Sequence, residues 1–163
     1  GATIFAYHVA NPRNFGIVEL SNEGKPLSVE EKPLHPKSNY AITGLYFYNN
    51  EVLNIAKNIK PSKRGELEIS SINSAYLEKN LLNVELFGRG FAWLDTGTNK
   101  SLTDAAQFIY TIEKRQGLKV ACLEEISFRK GWLSLEKLKK KSSILKGTSY
   151  GEYLEMIVSE NSN

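Results

Sequence analysis

The stretch Tyr40-Ala41-Ile42-Thr43-Gly44-Leu45-Tyr46-Phe47-Tyr48 is apolar on both of the faces that a strand presents. Successive side chains of a strand point to opposite sides. An uncharged run of this length therefore belongs at the centre of a sheet buried on both faces. Upstream, residues 3–9 and 15–20 are rich in β-branched and aromatic residues and read as strands. Asn11-Pro12-Arg13-Asn14 interrupts them. Ser21-Asn22-Glu23-Gly24 is turn chemistry, and Pro26 to Glu31 is the returning arm of a hairpin. Two prolines keep Lys32 to Asn39 out of regular pairing.

Downstream of the central strand the period changes from two to about 3.6 residues. Asn50 is a candidate cap for a helix to Asn58 with Val52, Leu53, Ile55 and Ala56 inward. After the loop Pro61 to Gly65, a second helix runs through Leu67, Ile69, Ile72, Ala75, Tyr76 and Leu77. Residues 83–87 return to strand character, followed by Gly88-Arg89-Gly90 and an apolar strand leading into Asp95. A helix from Leu102 to Gln116 has Asn99 or Ser101 as cap and Gly117 as stop. Beyond Val120 the pattern is helical, in pieces near 123–129, 134–145 and 149–159. The expected class is α/β with a mainly helical C-terminal third.

Composition narrows the function. With 163 residues, 41% hydrophobic and 24% charged, the chain can bury a sizeable core and is neither disordered nor collagen-like. No apolar run reaches the ~20 residues that span a bilayer. Cys122 is the one cysteine, which excludes an internal disulfide and a multi-thiolate zinc site, and with His8 and His35 the only histidines, histidine-rich metal chemistry is not expected. A net charge of +3 is too weak to indicate nucleic acid, and the basic run Arg129 to Lys146 lacks interleaved aromatics and reads as a solvated helix face. The chain opens in strand-like sequence without methionine, which raises the expectation of a piece of a longer protein.

Several residues invite chemistry. Alternation places Glu31 on the face of Leu27 and Val29, followed by Lys32; this is a charged strand end, or a sugar-hydroxyl acceptor beside a phosphate-binding ammonium. Gly16 and Gly44 within strands mark bulges or a close approach by a ligand. Asp95 in Trp93-Leu94-Asp95-Thr96-Gly97 is an Asx turn or an oxygen ligand for Mg²⁺. Arg64, ahead of a helix, is a solvated charge or a phosphate donor. No Walker loop and no Ser-His-Asp constellation occurs in the chain.

Seven stretches carry these residues in a recognisable order. They are Phe15-Gly16-Ile17-Val18-Glu19, Ser28-Val29-Glu30-Glu31-Lys32-Pro33, the run Pro36 to Tyr46, Arg64-Gly65-Glu66-Leu67-Glu68-Ile69, Gly88-Arg89-Gly90, Trp93-Leu94-Asp95-Thr96-Gly97-Thr98, and Glu113 to Val120. Together they resemble the C-terminal part of the thymidylyl branch of the sugar-phosphate nucleotidyltransferase family, over nearly the whole chain. The stretch from about Ser142 is looser, and a uridylyl-type relative fits the Lys37-Ser38-Asn39-Tyr40-Ala41 loop less well. The resemblance implies the sugar-binding half of a Rossmann-like mixed sheet over residues 1–117 and a helical oligomerisation and regulatory region over 118–163.

It also implies a reaction. The phosphate of glucose 1-phosphate attacks the α-phosphorus of dTTP, Mg²⁺ offsets charge, pyrophosphate leaves, and the product enters dTDP-rhamnose synthesis. By the resemblance, Gly16, Glu31 and Ile42 line the glucose pocket, Lys32 and Arg64 hold the sugar phosphate, Tyr46 and Trp93 wall the site, and Asp95 binds metal. A regulatory nucleotide, dTTP or a dTDP-sugar, meets Arg89, Glu125, Ile126 and Arg129 in a cytoplasmic homotetramer that contacts neither nucleic acid nor membrane. Four residues apart on a helix, Glu125 and Arg129 are equally placed to pair with each other. The family's glycine-rich nucleotide loop and second metal aspartate have no counterpart in the chain, so an inactive fragment is expected; the alternative is a stand-alone binding or assembly module.

Overall fold

The computed structural model describes residues 1–162, which form two compact units, Gly1–Trp93 and the residues from Leu94 onward. The first is a five-stranded mixed sheet of β1 (Ala2–His8), β2 (Gly16–Leu20), β3 (Pro26–Glu31), β4 (Tyr40–Tyr48) and β5 (Leu82–Phe87), in the order β3-β2-β4-β1-β5. Only β1 and β5 run parallel; β1–β4, β2–β3 and β2–β4 are antiparallel. The tight turn after Leu20 closes the expected hairpin, with Gly24 at a φ of 80°. Between β4 and β5 come α1 (Val52–Asn58) and α2 (Ile69–Glu78).

One face of the sheet and α2 enclose a core of Ala2, Ile4, Ala6, Val18, Ile42, Ile72, Tyr76 and Leu82. Tyr76 is fully buried and donates to Asn49 Oδ1 at 2.7 Å, so its hydroxyl does not enter the core unsatisfied. The expected central position of β4 holds, but its burial on both faces does not. Ala41, Ile42 and Thr43 are buried, whereas Leu45 and Phe47 are exposed. Thr43-Gly44-Leu45 stand opposite Phe5 alone, since Ile4 pairs with Tyr46 and Ala6 with Ile42; this is the irregularity that Gly44 signalled.

Other local expectations are corrected by tertiary contacts. On α1, Val52 and Ile55 pack on the core, but Leu53 and Ala56 face out, and Asn50 provides no side-chain cap. The second helix begins at Ile69, so Leu67 lies before it and is exposed, while Glu68 is buried and bound by Ser62 and Arg64. Leu27 is exposed because β3 is an edge strand. Residues 91–97 form no strand.

The second unit is helical: α3 (Asn99–Gln116), α4 (Leu123–Arg129), α5 (Leu135–Ile144) and α6 (Ser149–Glu160). Thr98, rather than Asn99 or Ser101, caps α3, and Ser101 closes the reciprocal half of that capping box. Gly117 ends the helix at a φ of 71°, as expected. Cys122, Leu138, Tyr153, Leu154, Ile157 and Val158 form this unit's core. A Cβ on Gly151 would stand 2.1 Å from the Leu145 carbonyl oxygen, so only glycine lets the first turn of α6 pack there. Among the described residues, no helix is long and apolar enough to cross a membrane.

Candidate functional site

Residue 16 opens β2 directly opposite Glu31, the last residue of β3. Glu31 is half-buried, and its Oε2 accepts a hydrogen bond from Ser70 Oγ in the first turn of α2. Among the described residues, Oε1 takes no hydrogen bond. A Cβ at Gly16 would come within 3.1 Å of Glu31 Oε2, 3.2 Å of Ser70 Oγ and 3.8 Å of Ile42 Cδ1. Three residues expected to act together, Gly16, Glu31 and Ile42, thus meet at one point. The glycine lets Glu31 and Ser70 approach the β2 backbone this closely, and no bulge interrupts the pairing there.

Tyr46 belongs to the same neighbourhood. Burial, and then the charge of Glu31, push its phenol pKa up. Its ring stacks on Tyr48 at 5.9 Å, which stacks in turn on Tyr76 at 5.5 Å, so the ring is fixed by a column of aromatics. Lys32 is exposed and has a φ of 42°, in the left-handed region that a residue with a Cβ rarely occupies. Its backbone N–H donates to the Phe15 carbonyl at 3.1 Å and holds that conformation. Trp93 packs edge-on against Phe15 at 5.1 Å and tilts over Tyr7 at 6.1 Å.

On the α2 side Glu31 opens onto a cavity of about 410 Å³, room for a small polyhydroxylated molecule. Its wall includes Glu31, Glu68, Glu78, Ser62, Ser70, Ser74 and Lys60. Carboxylates and hydroxyls stand among the apolar groups of Val29, Ile59 and Ala75 and can accept hydrogen bonds from a polyol. Ser62, Ser70, Ser74 and Glu68 were not anticipated from the sequence. Their legible signal was the pair Ser70 and Ser74, one helical turn apart on a helix otherwise read for its apolar positions.

Arg64 is not free. Nη1 donates to Glu68 Oε1 at 3.2 Å and Nη2 pairs with Glu66 Oε2 at 3.1 Å, in a loop turned by Gly65. Asp95 lies in the second unit, exposed, with Oδ2 accepting from the Gly97 N–H at 3.1 Å in an Asx turn. No group of three or more His, Cys, Asp or Glu placed to hold a metal occurs among the described residues. Asp95 offers one hard oxygen, which fits Mg²⁺ as a single ligand beside waters and phosphates but not as a complete site.

The four residues expected at a regulatory nucleotide site are divided. Arg89 sits exposed in the first unit, in the turn closed by the Phe91 N–H on the Gly88 carbonyl. Glu125, Ile126 and Arg129 are on α4. Arg129 Nε donates to Glu125 Oε1 at 2.7 Å, and Tyr153 donates to Oε2, so the i,i+4 pairing open in the sequence is made. Burial and the bond to Glu125 raise the Tyr153 pKa to about 12.

The chain is 54% identical over 154 residues to a glucose-1-phosphate thymidylyltransferase of Neisseria meningitidis, covering 94% of this chain and 54% of that one. Its identity to the enzyme of the same name from Mycobacterium tuberculosis is 52% over 161 residues, covering 99% and 56%. A crystal structure of a Bacillus anthracis protein carrying that enzyme name, in complex with sucrose, superposes with a TM-score of 0.59 at 41% identity, over 66% of this chain and 43% of that one. The chain thus spans about half the length of the curated relatives it matches. The sequence profile described as nucleotidyl transferase matches residues 1–112, which take in the whole sheet and the Gly16–Glu31–Ile42 cluster, and on that match the chain belongs to the nucleotidyl transferase family.

Proposed function

We propose that this chain is the sugar-phosphate-binding, C-terminal portion of a cytoplasmic enzyme that transfers a thymidylyl group from dTTP to glucose 1-phosphate and forms dTDP-glucose, the first step toward dTDP-rhamnose. One observation carries the reading: Glu31 is anchored through Oε2 by Ser70, close against the Gly16 backbone, while its Oε1 takes no hydrogen bond among the described residues. A carboxylate oxygen so held accepts charge-assisted hydrogen bonds from sugar hydroxyls and orients the ring. Lys32 brings its ammonium to the sugar phosphate, and Arg64 exchanges the exposed Glu66 carboxylate for a phosphate oxygen. In this reading Ile42, Tyr46 and Trp93 wall the glucose site, although they are not among the residues lining the cavity on the α2 side.

In the reaction a phosphate oxygen of glucose 1-phosphate bonds to the α-phosphorus of dTTP while the bond to pyrophosphate breaks. Little covalent work falls to the protein, whose contribution is positioning and charge. Mg²⁺, when bound, offsets negative charge on the phosphates, and Asp95 would supply one of its oxygen ligands. Residues 1–117 carry sugar-phosphate binding in this reading. Residues 118–163 serve self-association into a homotetramer, with Arg89, Glu125, Ile126 and Arg129 meeting a regulatory thymidine nucleotide.

Calorimetric titration of the chain with α-D-glucose 1-phosphate tests the binding assignment. Binding weakened by Lys32→Met for glucose, galactose and glucosamine phosphates alike supports it; heat unaffected by this change removes Lys32 from the phosphate site. Pyrophosphate release from dTTP and glucose 1-phosphate tests the division of labour. The chain alone is expected to give none, and turnover above about one per second, an ordinary enzyme rate, overturns it.

A further inference from the structure

Lys32 holds a backbone conformation that its surroundings must enforce. Its φ of 42° is left-handed, where a residue with a Cβ is strained. It also precedes Pro33, and the ring of a following proline drives a residue toward extended backbone. Two independent preferences thus oppose the observed state. Strain of this kind persists only where the surrounding structure over-determines it, and it gathers at functional positions. The bond from the Lys32 N–H to the Phe15 carbonyl, at 3.1 Å, is one restraint. At an exposed residue a single backbone bond is a weak hold against both preferences.

The far end of the same loop supplies the rest. Residues 32–39 leave β3 and return to β4, and the return is tied to the hairpin twice. Ser38 Oγ donates to the Val18 carbonyl at 2.5 Å and accepts from the Tyr40 N–H at 3.2 Å. Lys37 Nζ lies 3.2 Å from Glu30 Oε1 and 3.6 Å from Glu19 Oε2. Glu19 is itself held by Ser28, whose hydroxyl donates to the same Oε2 at 2.6 Å. The bond to Glu30, and then the charge of Glu19, push the Lys37 pKa up, and the bond from Ser28 holds Glu19 below its ordinary 4.5. Glu19 stands opposite Ser28 and Ile17 opposite Glu30, so alternation puts Glu19, Ser28 and Glu30 on one face of the hairpin and Glu31 on the other. One ammonium that joins both strands is a network rather than a lone surface pair. Pro33 and Pro36 fix two of the φ angles between Lys32 and this anchorage, so the loop transmits the restraint instead of absorbing it.

We infer that Lys37 and Ser38 are positioning residues: they fasten the loop to the back of the hairpin, keep Lys32 left-handed, and so hold its ammonium where a sugar phosphate meets it. The last step rests on the proposed role of Lys32 in phosphate binding; the backbone restraint does not. A return of Lys32 to negative φ would redirect its Cα–Cβ bond and the four-carbon arm beyond it.

Amide exchange at Lys32 in the unliganded chain reads the restraint, and calorimetry with α-D-glucose 1-phosphate reads its consequence. Lys37→Met and, separately, Ser38→Ala are expected to speed exchange of the Lys32 N–H at least about fivefold. Each should also weaken glucose 1-phosphate binding about threefold to tenfold with the melting temperature little changed. Lys37→Arg keeps a charge between Glu19 and Glu30 and is expected to restore both readings. In a Lys32→Met background, Lys37→Met should cost no further affinity, because its effect runs through the ammonium already removed. Unchanged Lys32 exchange in both Lys37→Met and Ser38→Ala overturns the clamp. Faster exchange with unchanged affinity, or an equal affinity loss in the Lys32→Met background, overturns its link to the ammonium. If the parent chain gives no heat with glucose 1-phosphate, the sugar-phosphate reading and the positioning role built on it fall together, while Lys32 exchange still decides the clamp by itself.

Discussion

Glu31 at the end of β3 and Glu125 on α4 are both carboxylates bound by a neighbouring hydroxyl, and they are left in different states. Glu31 has one oxygen occupied by Ser70 and the other free. Glu125 has both occupied, by Arg129 and Tyr153. Burial alone would raise the Glu125 pKa, but the bonds from Tyr153 and Arg129 reverse this and hold it below the ordinary carboxylate range. A half-used carboxylate is oriented and still able to accept. A fully used one holds α4 against α6 and can meet a further ligand only by giving up one of those bonds. The count of unspent lone pairs separates the two carboxylates.

The sharpest way to break that comparison is to neutralise each carboxylate in turn. Glu31→Gln is expected to weaken glucose 1-phosphate binding about 10–100-fold, the loss of a hydrogen bond to a charged group worth ~1.5–3 kcal/mol. It should also relax discrimination among sugar phosphates. Glu125→Gln is expected to lower the melting temperature and leave that affinity unchanged. Calorimetry and thermal denaturation on both variants decide it, and equal affinity losses would dissolve the distinction.

A smaller effect is expected from steric filling. Gly16→Ala puts a methyl group 3.1 Å from Glu31 Oε2 and 3.2 Å from Ser70 Oγ, tighter than most carbon contacts, so the carboxylate must shift. Affinity for glucose 1-phosphate should fall about tenfold, roughly 1.4 kcal/mol. Gly44→Ala, where a Cβ meets nothing within 4 Å, is the matched control and should bind as the parent does. If both substitutions are silent, the space at Gly16 is not part of the site.

The smallest effect concerns acid. In the helical unit, Glu113 is held below its ordinary pKa of 4.5 chiefly by Lys119, Glu124 chiefly by Tyr150, and Glu125 by Tyr153 and Arg129 against the opposing effect of burial. Groups depressed in the folded state bind protons more readily when unfolded. Their stabilisation is therefore complete above pH 4.5 and is lost as the pH falls through the lower, folded values. The double variant Glu124→Gln, Glu125→Gln is expected to melt a few degrees below the parent near pH 7 and together with it near pH 3. Circular dichroism melts at the two pH values check this; a constant difference would show that the two carboxylates act through packing alone.

Much of the fold was legible because its signals are local. β-Branched and aromatic composition located β1 and β2, and an uncharged apolar run located β4. The turn at Ser21 to Gly24 set the hairpin, and Gly117 ended α3 within the residue expected. Helices near 123–129, 134–145 and 149–159 were readable from 3.6-residue periodicity alone. The misreadings lie where a contact distant in sequence overrides the local pattern. Leu67 fits the apolar spacing of α2 but is left outside it, because Ser62 and Arg64 draw Glu68 inward. The apolar residues before Asp95 have strand composition but no strand to pair with.

The candidate site divides in the same way. Glu31, Lys32, Gly16 and Asp95 were legible because strand ends, interior glycines and Asp-Thr-Gly turns are written in neighbouring residues. The meeting of Gly16 with Glu31 was half visible in the hairpin register. Ser70 was not visible, since it is 39 residues from Glu31 along the chain and reaches it only because α2 packs across the sheet. Sequence by itself determined most of the elements, their order and the charged residues at strand ends and turns, because propensity and periodicity act over a few residues. Only the tertiary structure decided which carboxylate kept an oxygen without a hydrogen bond among the described residues, that Arg64 starts out paired, and that β2 pairs with β4 only at Ala41. Hydrogen-bond saturation and burial depend on which distant elements arrive beside a residue, and no local pattern records that.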